Sequence, residues 1–324
     1  MLPGSCVAAP PPGKDSLTAL AMCASPAISV VIATFNRANY LPATIDSVLN
    51  QSFKDFELIV VDDGSTDNTQ EVLEPYGSRV KYFYQPNGGA SAARNLGVRH
   101  ARGAWIAFQD SDDLSLPNHL ASLYGYATKH PACGMVFANG NYLSGTAQSR
   151  RKKTIIETAK SRGLAEKGVR LVDLFEKSIL RVQAALFSKQ AYDLVGGHDE
   201  SLRICMDLDL GLRMLMNFPV AYLDEVLFSY RIHDGNIGRN EELRLTENIQ
   251  VIEKLIGDYP AARELIGRKL LARRLAYRYY RLAKGRWRHN HREAARQAIK
   301  QATRLRPGYV KYWYYQIHWG LAAR

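Results

Sequence analysis

Short apolar runs alternate with helix-like stretches along the first half of the chain. The runs ISVVIA, FELIVV, VKYFY, AWIAF and GMVFA are rich in β-branched and aromatic residues and predict strands. After the first run, Leu41, Ile45 and Val48 follow helical spacing, and Pro42 suits the first turn of a helix. Strands and helices that alternate with short loops predict an α/β fold with a doubly wound, mostly parallel sheet. Ligands of such sheets collect at the carboxyl ends of the strands.

In the second half of the chain the pattern of apolar and polar residues changes twice. The pattern is less clear from residue 139 to residue 170, where the stretch 144–168 is polar and basic and predicts a mobile loop or lid. A strand at AALFS, a helix from Asp207 to Phe218 and two short strands at VAYL and VLFSY follow. Beyond Asn240 the pattern is wholly helical, with one hairpin of tetratricopeptide type at residues 276–307. We therefore expect an α/β domain over residues 27–240 and a helical C-terminal extension over residues 241–324.

The first 26 residues fit no secretory signal, because they lack a basic start and are interrupted by three consecutive prolines. They predict either a disordered leader or a translation start at Met22. No apolar run reaches the roughly 20 residues that a membrane span needs. The four cysteines show no metal-binding spacing and are too sparse for a disulfide scaffold, so a reducing, cytoplasmic setting is expected.

Carboxylates follow two of the predicted strands. Asp62 and Asp63 end the second strand, and Asp110, Asp112 and Asp113 end the fourth. If both clusters lie on one rim, they repel each other unless a cation or hydrogen-bond donors offset the charge. Hard oxygen ligands suit Mg²⁺ or Mn²⁺, which commonly bind through one or two carboxylates and substrate phosphates. The two clusters together predict a site for a metal ion and a diphosphate.

Other interpretations of these segments stay open. DDGSTD alone fits a turn in which Ser65 or Thr66 caps the next helix. The sequence has no GxGxxG after its first strand and no GxxxxGK[ST], which counts against dinucleotide binding and P-loop chemistry. NGGASAARN matches neither motif. It could bring Arg94 to a phosphate, or Arg94 could be a solvated residue at the start of a helix.

Seven segments together resemble family 2 glycosyltransferases with the GT-A fold. They are SVVIATFNR, ELIVVDDGSTDNT, NGGASAARNLG, AFQDSDD, VGGHDESL, MDLDLGLR and YRIHDGN, in that order from about residue 27 to residue 240. The resemblance implies an inverting enzyme that moves a sugar from a nucleotide diphosphate to an acceptor hydroxyl, with Mg²⁺ or Mn²⁺. UDP is the implied nucleotide, dTDP is an alternative, and GDP fits less well. The implied acceptor is a cell-surface polysaccharide or a lipid-linked glycan.

The resemblance also implies roles for individual residues. Contacts to the nucleotide or its diphosphate are implied for Thr34, Asp63, Arg94 and Asp112. Contacts to the metal ion are implied for Asp113, Asp112, Asp110 and His233. Asp207 aligns with the acid taken as the catalytic base.

The chain departs from the family pattern at two positions. Met206 stands where a Glu usually precedes the catalytic Asp, which leaves the handling of the acceptor in doubt, and His198 stands where a Phe is usual. Asp207 could instead cap its helix. Asp209 is expected to be structural, with Arg213 as its partner.

The net charge of +12 comes from the end of the chain. Residues 261–324 carry +15, whereas residues 1–260 carry −3. Basic residues interleaved with Trp and Tyr suit peripheral attachment to an anionic membrane, which would place the protein at the inner face of the membrane. They equally suit helices that cover the core while their basic stems extend to water. Binding of nucleic acid fits the pattern less well.

Two other functions compete with sugar transfer. A nucleotidyltransferase that makes sugar nucleotides would also use an α/β sheet and Mg²⁺. A non-catalytic nucleic-acid binder acting through the basic tail is the second, but the slightly acidic body and its carboxylate clusters count against it.

Overall fold

The computed structural model of the protein describes residues 25–143, 154–176, 179–235 and 240–321. Within these ranges the chain forms an eight-stranded sheet with helices against both faces. The strands are β1 (Ile28–Thr34), β2 (Phe56–Asp62), β3 (Lys81–Tyr84), β4 (Trp105–Asp110), β5 (Leu114–Ser115), β6 (Met135–Leu143), β7 (Ala185–Ser188) and β8 (Val220–Arg231). The helices are α1 (Leu41–Leu49), α2 (Thr69–Leu73), α3 (Ala90–His100), α4 (His119–Lys129), α5 (Thr158–Lys167), α6 (Leu171–Glu176), α7 (Lys189–Leu194), α8 (Met206–Asn217), α9 (Glu241–Asp258), α10 (Ala262–Ile266), α11 (Arg268–Arg288), α12 (Arg292–Leu305) and α13 (Val310–Leu321). Short 3₁₀ helices span Glu74–Arg79 and Val182–Ala184.

The sheet runs in the order β3-β2-β1-β4-β7-β6-β8-β5. Strands β3, β2, β1 and β4 pair in parallel, as do β6 and β8. Strand β7 lies antiparallel between β4 and β6, and β5 lies antiparallel beside β8 at the edge. The predicted α/β fold, with a doubly wound, mostly parallel sheet and a helical C-terminal region, is confirmed. The antiparallel insertion of β7 is the feature that the pattern did not predict.

The prediction of two short strands at VAYL and VLFSY is wrong, because both belong to the continuous strand β8. Along β6, the partner of Ala138 is Leu223, whereas the partner of Asn139 is Val226. The register shift leaves Asp224 and Glu225 between these pairs and exposed to solvent. A bulge of this kind takes up extra residues without ending the strand.

The region that was unclear from residue 139 is regular where the structure describes it, and the loop or lid predicted over residues 144–168 is wrong there. Strand β6 continues to Leu143, and α5 places Leu164 in the core, where it is 3% exposed. The side-chain amide of Asn139 donates to the carbonyl of Ile156 at 2.9 Å, which ties the segment to the sheet. Residues 144–153 lie outside the described residues, as do residues 1–24 of the predicted leader.

Two apolar clusters cover the faces of the sheet, and one of them continues into the C-terminal helices. Val251 and Ile252 of α9 and Leu271 and Leu275 of α11 belong to the same buried cluster as Phe108 of β4. The predicted extension therefore shares its core with the sheet as far as α11. Packing of its apolar side chains, which was one of the two main interpretations of the tail, accounts for this first part.

The C-terminal helices form a further cluster of their own. Its buried members are Ala276, Tyr280, Ala283, Ala295, Ala298, Ile299, Ala302, Tyr312 and Trp319. Small residues at the interface let α11 and α12 approach closely, as expected for the predicted helical hairpin. No helix in the described part of the chain combines the length and the apolar character needed to cross a membrane.

Candidate functional site

The sheet register brings the two carboxylate clusters to one rim. Thr34 at the end of β1 pairs with Asp62 of β2, and Ala33 pairs with Asp110 of β4. Because these strands are parallel, their carboxyl ends meet at the same edge. The rim that the sequence predicted is therefore present, and the residues that follow each strand can act together.

Asp63 organises the glycine-containing loop before α3. Its Oδ1 accepts hydrogen bonds from the Gln85 side chain at 2.7 Å and from the backbone N–H of Gly88 at 2.8 Å, and its Oδ2 accepts from the N–H of Gly89 at 2.8 Å. Gly89 has φ 95°, a conformation that side chains disfavour. The carboxylate thus fixes the turn that starts α3, and a contact to a nucleotide base remains a prediction for Asp63.

Thr34, at the end of β1, is hydrogen-bonded to the backbone of Asp63 and carries an unpaired hydroxyl. Its backbone carbonyl accepts from the N–H of Asp63 at 2.9 Å, and the residue is 2% exposed. Its Oγ1 is buried and has no hydrogen-bond partner among the described residues. Buried hydroxyls are normally paired, so a ligand group at this end of β1 would satisfy it.

The DDGSTD segment forms a turn, but its cap differs from the expected one. Asp62 Oδ1 accepts from the N–H of Ser65 at 2.9 Å, which closes the turn. Neither Ser65 nor Thr66 caps α2, so that prediction is wrong. The carboxylate of Asp67 instead accepts from the N–H of Thr69 at 3.1 Å, within the first turn of the helix.

Arg94 bridges the rim and the helix that carries Asp207. Its Nη2 donates to Asp110 Oδ1 at 2.6 Å, and its Nη1 lies 2.8 Å from the sulfur of Met206. The residue is 6% exposed, so the solvated alternative is wrong. Burial opposes the charge of Arg94, but the carboxylates of Asp110 and Asp207 more than offset it and raise its pKa. The guanidinium therefore stays charged between the carboxylates of Asp110 and Asp207.

We expect Arg94→Met to destabilise the fold by roughly 3 kcal/mol, because breaking a buried ion pair leaves the partner charge uncompensated. Arg170→Met is the matched control, since Arg170 pairs with Asp173 at the surface at 3.1 Å. An exposed pair of this kind contributes less than about 1 kcal/mol. Denaturant unfolding of both variants measures the difference. Equal losses in the two variants would contradict a structural role for the Arg94 bridge.

Asp112 and His233 lie side by side at the rim. Asp112 Oδ2 is 2.9 Å from His233 Nε2 and accepts from Arg37 Nε at 3.3 Å. The imidazole stacks on the ring of Tyr40, with the ring centroids 4.9 Å apart. Arg37 also donates to the carbonyl of Gly235 at 2.9 Å, so it holds the segment after β8 against the rim.

Asp113 is buried inside the protein and is not exposed at the rim. It is fully buried; its Oδ1 accepts from the N–H of Arg231 at 2.7 Å and its Oδ2 from the side chain of Gln183 at 2.7 Å. Burial, followed by the charge of Asp110, raises the pKa of Asp113 well above its ordinary value. Asp113 thereby joins β8 to the segment before β7.

The donor set at Asp112 and His233 fits a divalent cation. Asp112 Oδ2 and His233 Nε2 are hydrogen-bonded to each other at 2.9 Å, and a cation that displaced this hydrogen bond would take them as adjacent ligands, which lie about 3 Å apart around an octahedral ion with bonds of about 2.1 Å. Among the described residues, no group of three or more His, Cys, Asp or Glu could hold a metal ion. The protein would thus supply two ligands and a bound diphosphate the others. Asp110 and Asp113 are engaged with Arg94 and with Gln183 and Arg231, respectively.

Asp207 lies in the first turn of α8. Its Oδ2 accepts from the N–H of Val182 at 3.2 Å, and no hydrogen bond to its Oδ1 is found in the part of the chain that the structure describes. Cys205 occupies the N-cap position, so the alternative that Asp207 caps the helix is wrong. Asp209 pairs with Arg213, as predicted, through a hydrogen bond of 2.9 Å from Nε.

Glu247 of α9 supports the start of α8, and sequence reasoning missed it. This carboxylate is 4% exposed and accepts from the N–H groups of Arg203, Ile204 and Cys205, each at 2.8 Å. It offsets the unsatisfied donors at a helix N-terminus. Glu247 lies more than 40 residues from these partners, so local sequence spacing gives no signal of the contact.

The chain matches the family described as glycosyl transferase family 2 over residues 29–194, about half of its length. A glycosyltransferase of Rickettsia typhi, described as uncharacterised, is 31% identical over 215 residues, which make up 65% of this chain and 65% of the relative. The matched region therefore spans slightly less than two thirds of that relative.

Solved structures with a similar fold extend the comparison. S. aureus TarS, residues 1–349, has a TM-score of 0.62 at 20% identity, with 86% of this chain and 81% of that chain covered. The mannosyltransferase PcManGT from Pyrobaculum calidifontis, in complex with GDP-Man and Mn²⁺, has a TM-score of 0.57 at 18% identity, with 91% and 84% covered. At these identities the likeness shows a GT-A-like fold. Because the family match runs from β1 to the end of α7, the chain belongs to glycosyl transferase family 2.

Proposed function

We propose that the protein is an inverting glycosyltransferase that moves a sugar from a nucleoside diphosphate, UDP in the first instance, to an acceptor hydroxyl. The observation that carries the proposal is the Arg94 bridge. It joins Asp110, at the strand end next to Asp112, to Met206, the neighbour of Asp207. The carboxylate rim and a candidate base are thereby linked through one side chain, and displacement of a diphosphate needs a cation site and a base close together.

The proposed contacts to the nucleotide of the sugar donor lie at the ends of β1 and β2. The unpaired hydroxyl of Thr34 and the neighbouring carboxylate of Asp63 offer groups for the edge of a pyrimidine base. TarS 1–349 has been crystallised with UDP and with UDP-GlcNAc. Uracil and thymine present a similar edge, so dTDP is the alternative nucleotide. The GDP-Man bound to PcManGT makes GDP the third nucleotide to test.

We assign a divalent cation, Mg²⁺ or Mn²⁺, to Asp112 and His233. When bound, it would neutralise the charge that develops on the departing nucleoside diphosphate. Arg37 now donates to Asp112 Oδ2, so this contact must give way when the cation and donor bind. Asp113 would act from behind the rim, by fixing the backbone of Arg231 two residues before His233.

The acceptor end of the proposal rests on Asp207. The N–H of Val182 holds Oδ2, which leaves the other oxygen to take the proton of an acceptor hydroxyl as it attacks the anomeric carbon. The guanidinium of Arg94 interacts electrostatically with the carboxylate of Asp207. Glu247 fixes the N-terminal end of α8 and so the position of the base. Attack and departure on opposite faces of the sugar give inversion.

The basic C-terminal helices suggest where the acceptor is presented. We infer that the enzyme works at the cytoplasmic, inner face of a membrane, on a lipid-linked glycan or a cell-surface polysaccharide. The surplus of +15 in residues 261–324 supports attraction to anionic lipids, with each basic residue near the surface contributing on the order of 1 kcal/mol.

A panel of sugar nucleotides tests the proposed reaction. With Mn²⁺ or Mg²⁺ present, we expect release of UDP from one UDP-sugar, slowly to water and faster to an acceptor, and no release when the cation is chelated. Release of pyrophosphate from a nucleoside triphosphate and a sugar phosphate would instead identify a nucleotidyltransferase. Tight binding of nucleic acid by the full chain, without metal-dependent binding of any nucleotide, would favour the non-catalytic alternative.

A further inference from the structure

The last helix of the described chain, α13, is apolar on two opposite faces. On one face, Tyr312 and Trp319 pack into the C-terminal cluster and are at most 3% exposed. The opposite face, which we call the outer stripe, is exposed to solvent. Its members and their exposed fractions are Val310 (79%), Tyr314 (60%), Ile317 (58%) and Leu321 (64%).

The outer stripe is regular. Its residues are separated by four, three and four positions, so at 100° per residue they lie within an arc of about 60°. Scattered apolar side chains need no partner, but a contiguous stripe on one helix indicates an interaction surface.

A basic groove runs beside the outer stripe, between α11, α12 and α13. It has a volume of about 740 Å³, and its lining includes Arg286, Lys300 and Arg304 together with Trp313. Trp313 is 44% exposed and precedes Tyr314 in α13, so it belongs to the groove and borders the stripe. Lys300 and Arg304 form no ion pair with the described residues, and the sequence holds no acidic residue after Glu293.

We propose that the outer stripe and the basic groove form one docking surface for a bilayer that contains anionic phospholipids. The stripe would enter the interface between headgroups and acyl chains, Trp313 would lie at headgroup level, and Lys300 and Arg304 would contact lipid phosphates. This proposal deepens the membrane part of the proposed function, because it assigns attachment to one helix face and two cations. It is independent of the reaction at Asp207.

Charge complementarity favours an anionic bilayer over two other partners, a second copy of this chain and a nucleic acid. A second copy of this chain would bring one set of unpaired cations against another, which is unfavourable. Nucleic acid would satisfy Lys300 and Arg304 but would leave Ile317 and Leu321 exposed to water. Only a partner that is both anionic and apolar complements the two halves of the surface, and an anionic bilayer has both properties.

Flotation of the full chain with liposomes tests the surface. We expect wild type to float with vesicles of phosphatidylcholine and phosphatidylglycerol, to stay unbound with pure phosphatidylcholine, and to be released in part by salt. Ile317→Asp should lower the partition coefficient about ten- to hundredfold, because it removes the burial of one large apolar side chain. Leu194→Asp is the matched control: Leu194 lies in α7, is 69% exposed, and should tolerate the change.

A second variant tests the same surface in case Ile317→Asp does not fold. Changing Lys300 and Arg304 to Glu leaves the buried cluster intact and should reduce binding to anionic vesicles at least about tenfold. Thermal unfolding should match wild type in all three variants.

Each remaining outcome would overturn the docking surface in a distinguishable way. If wild type binds anionic vesicles and Ile317→Asp binds them equally well, the surface is elsewhere and peripheral attachment stands. If wild type binds no vesicle, both the surface and the membrane part of the proposed function fail, while donor turnover remains a separate measurement. Equal binding to neutral and anionic vesicles, a concentration-dependent dimer, or a preference for oligonucleotides would exclude the electrostatic lipid contact.

Discussion

Asp207→Asn is expected to lower kcat for sugar transfer by roughly 10²–10⁴-fold, the contribution typical of a general base. The amide keeps the shape of the side chain and can still accept from the N–H of Val182, but it cannot take a proton. Binding of the nucleotide should be unchanged, because Asp207 acts on the acceptor. Steady-state kinetics with a transferable acceptor measures kcat, and calorimetry with UDP and Mn²⁺ measures the affinity.

Asp193→Asn is the control for this experiment, because Asp193 lies in α7, is half-exposed and forms a surface ion pair with Lys189. This variant should leave both kcat and the affinity for UDP unchanged. Normal transfer by Asp207→Asn would remove Asp207 from the mechanism. Loss of nucleotide affinity together with kcat would mean that the side chain positions the donor instead of acting as the base.

The second large effect is expected at the cation site. Substitutions at groups that merely support metal ligands cost about 10–100-fold in metal affinity, so Asp112→Asn should weaken Mn²⁺-dependent UDP binding by more than about 100-fold. His233→Gln should act in the same direction. Calorimetry with and without Mn²⁺ isolates the metal-dependent part, and UDP binding without metal should change little.

The chain offers a matched control for His233. His130 stacks on Tyr126 with a centroid distance of 4.3 Å, much as His233 stacks on Tyr40, but it lies in the loop after α4. His130→Gln should bind UDP and Mn²⁺ like wild type. Asp113→Ala distinguishes the two proposed positions of the cation, one at Asp112 and His233 and the other at Asp113. If it abolishes metal-dependent binding in a folded protein while Asp112→Asn does not, the sequence-based placement of the ion at Asp113 is right.

The fold was predictable where the signal is local and repetitive. β-branched runs followed by amphipathic stretches gave the strands β1 to β4, and parallel strands necessarily bring Asp62 and Asp110 to one rim. The pairing of β7 was not predictable in this way. AALFS is recognisable as a strand, but its antiparallel position between β4 and β6 depends on the intervening segment, whose composition resembled a loop.

The site was predictable in its residue types more than in its contacts. The resemblance drew attention to Asp112 and His233, 121 residues apart, and the structure brings them within 2.9 Å. It could not show that Asp113 faces Gln183, because that depends on where the chain before β7 returns. Nor could it show that Glu247 reaches back to α8, since such a contact is set by tertiary packing and leaves no spacing pattern in the sequence.

Helix α11 joins two parts of the molecule that carry different proposals. Its first half places Leu271 and Leu275 in the core shared with the sheet, and its second half places Tyr280 and Ala283 in the cluster that supports α13. Arg278 anchors it to the carbonyl of Phe175 at 3.0 Å. A continuous helix of 21 residues is about 30 Å long and has no hinge. If α13 rests on a bilayer, this rigid connection keeps the rim at a fixed distance from the lipid, and we expect transfer to acceptors whose reactive sugar lies at that distance.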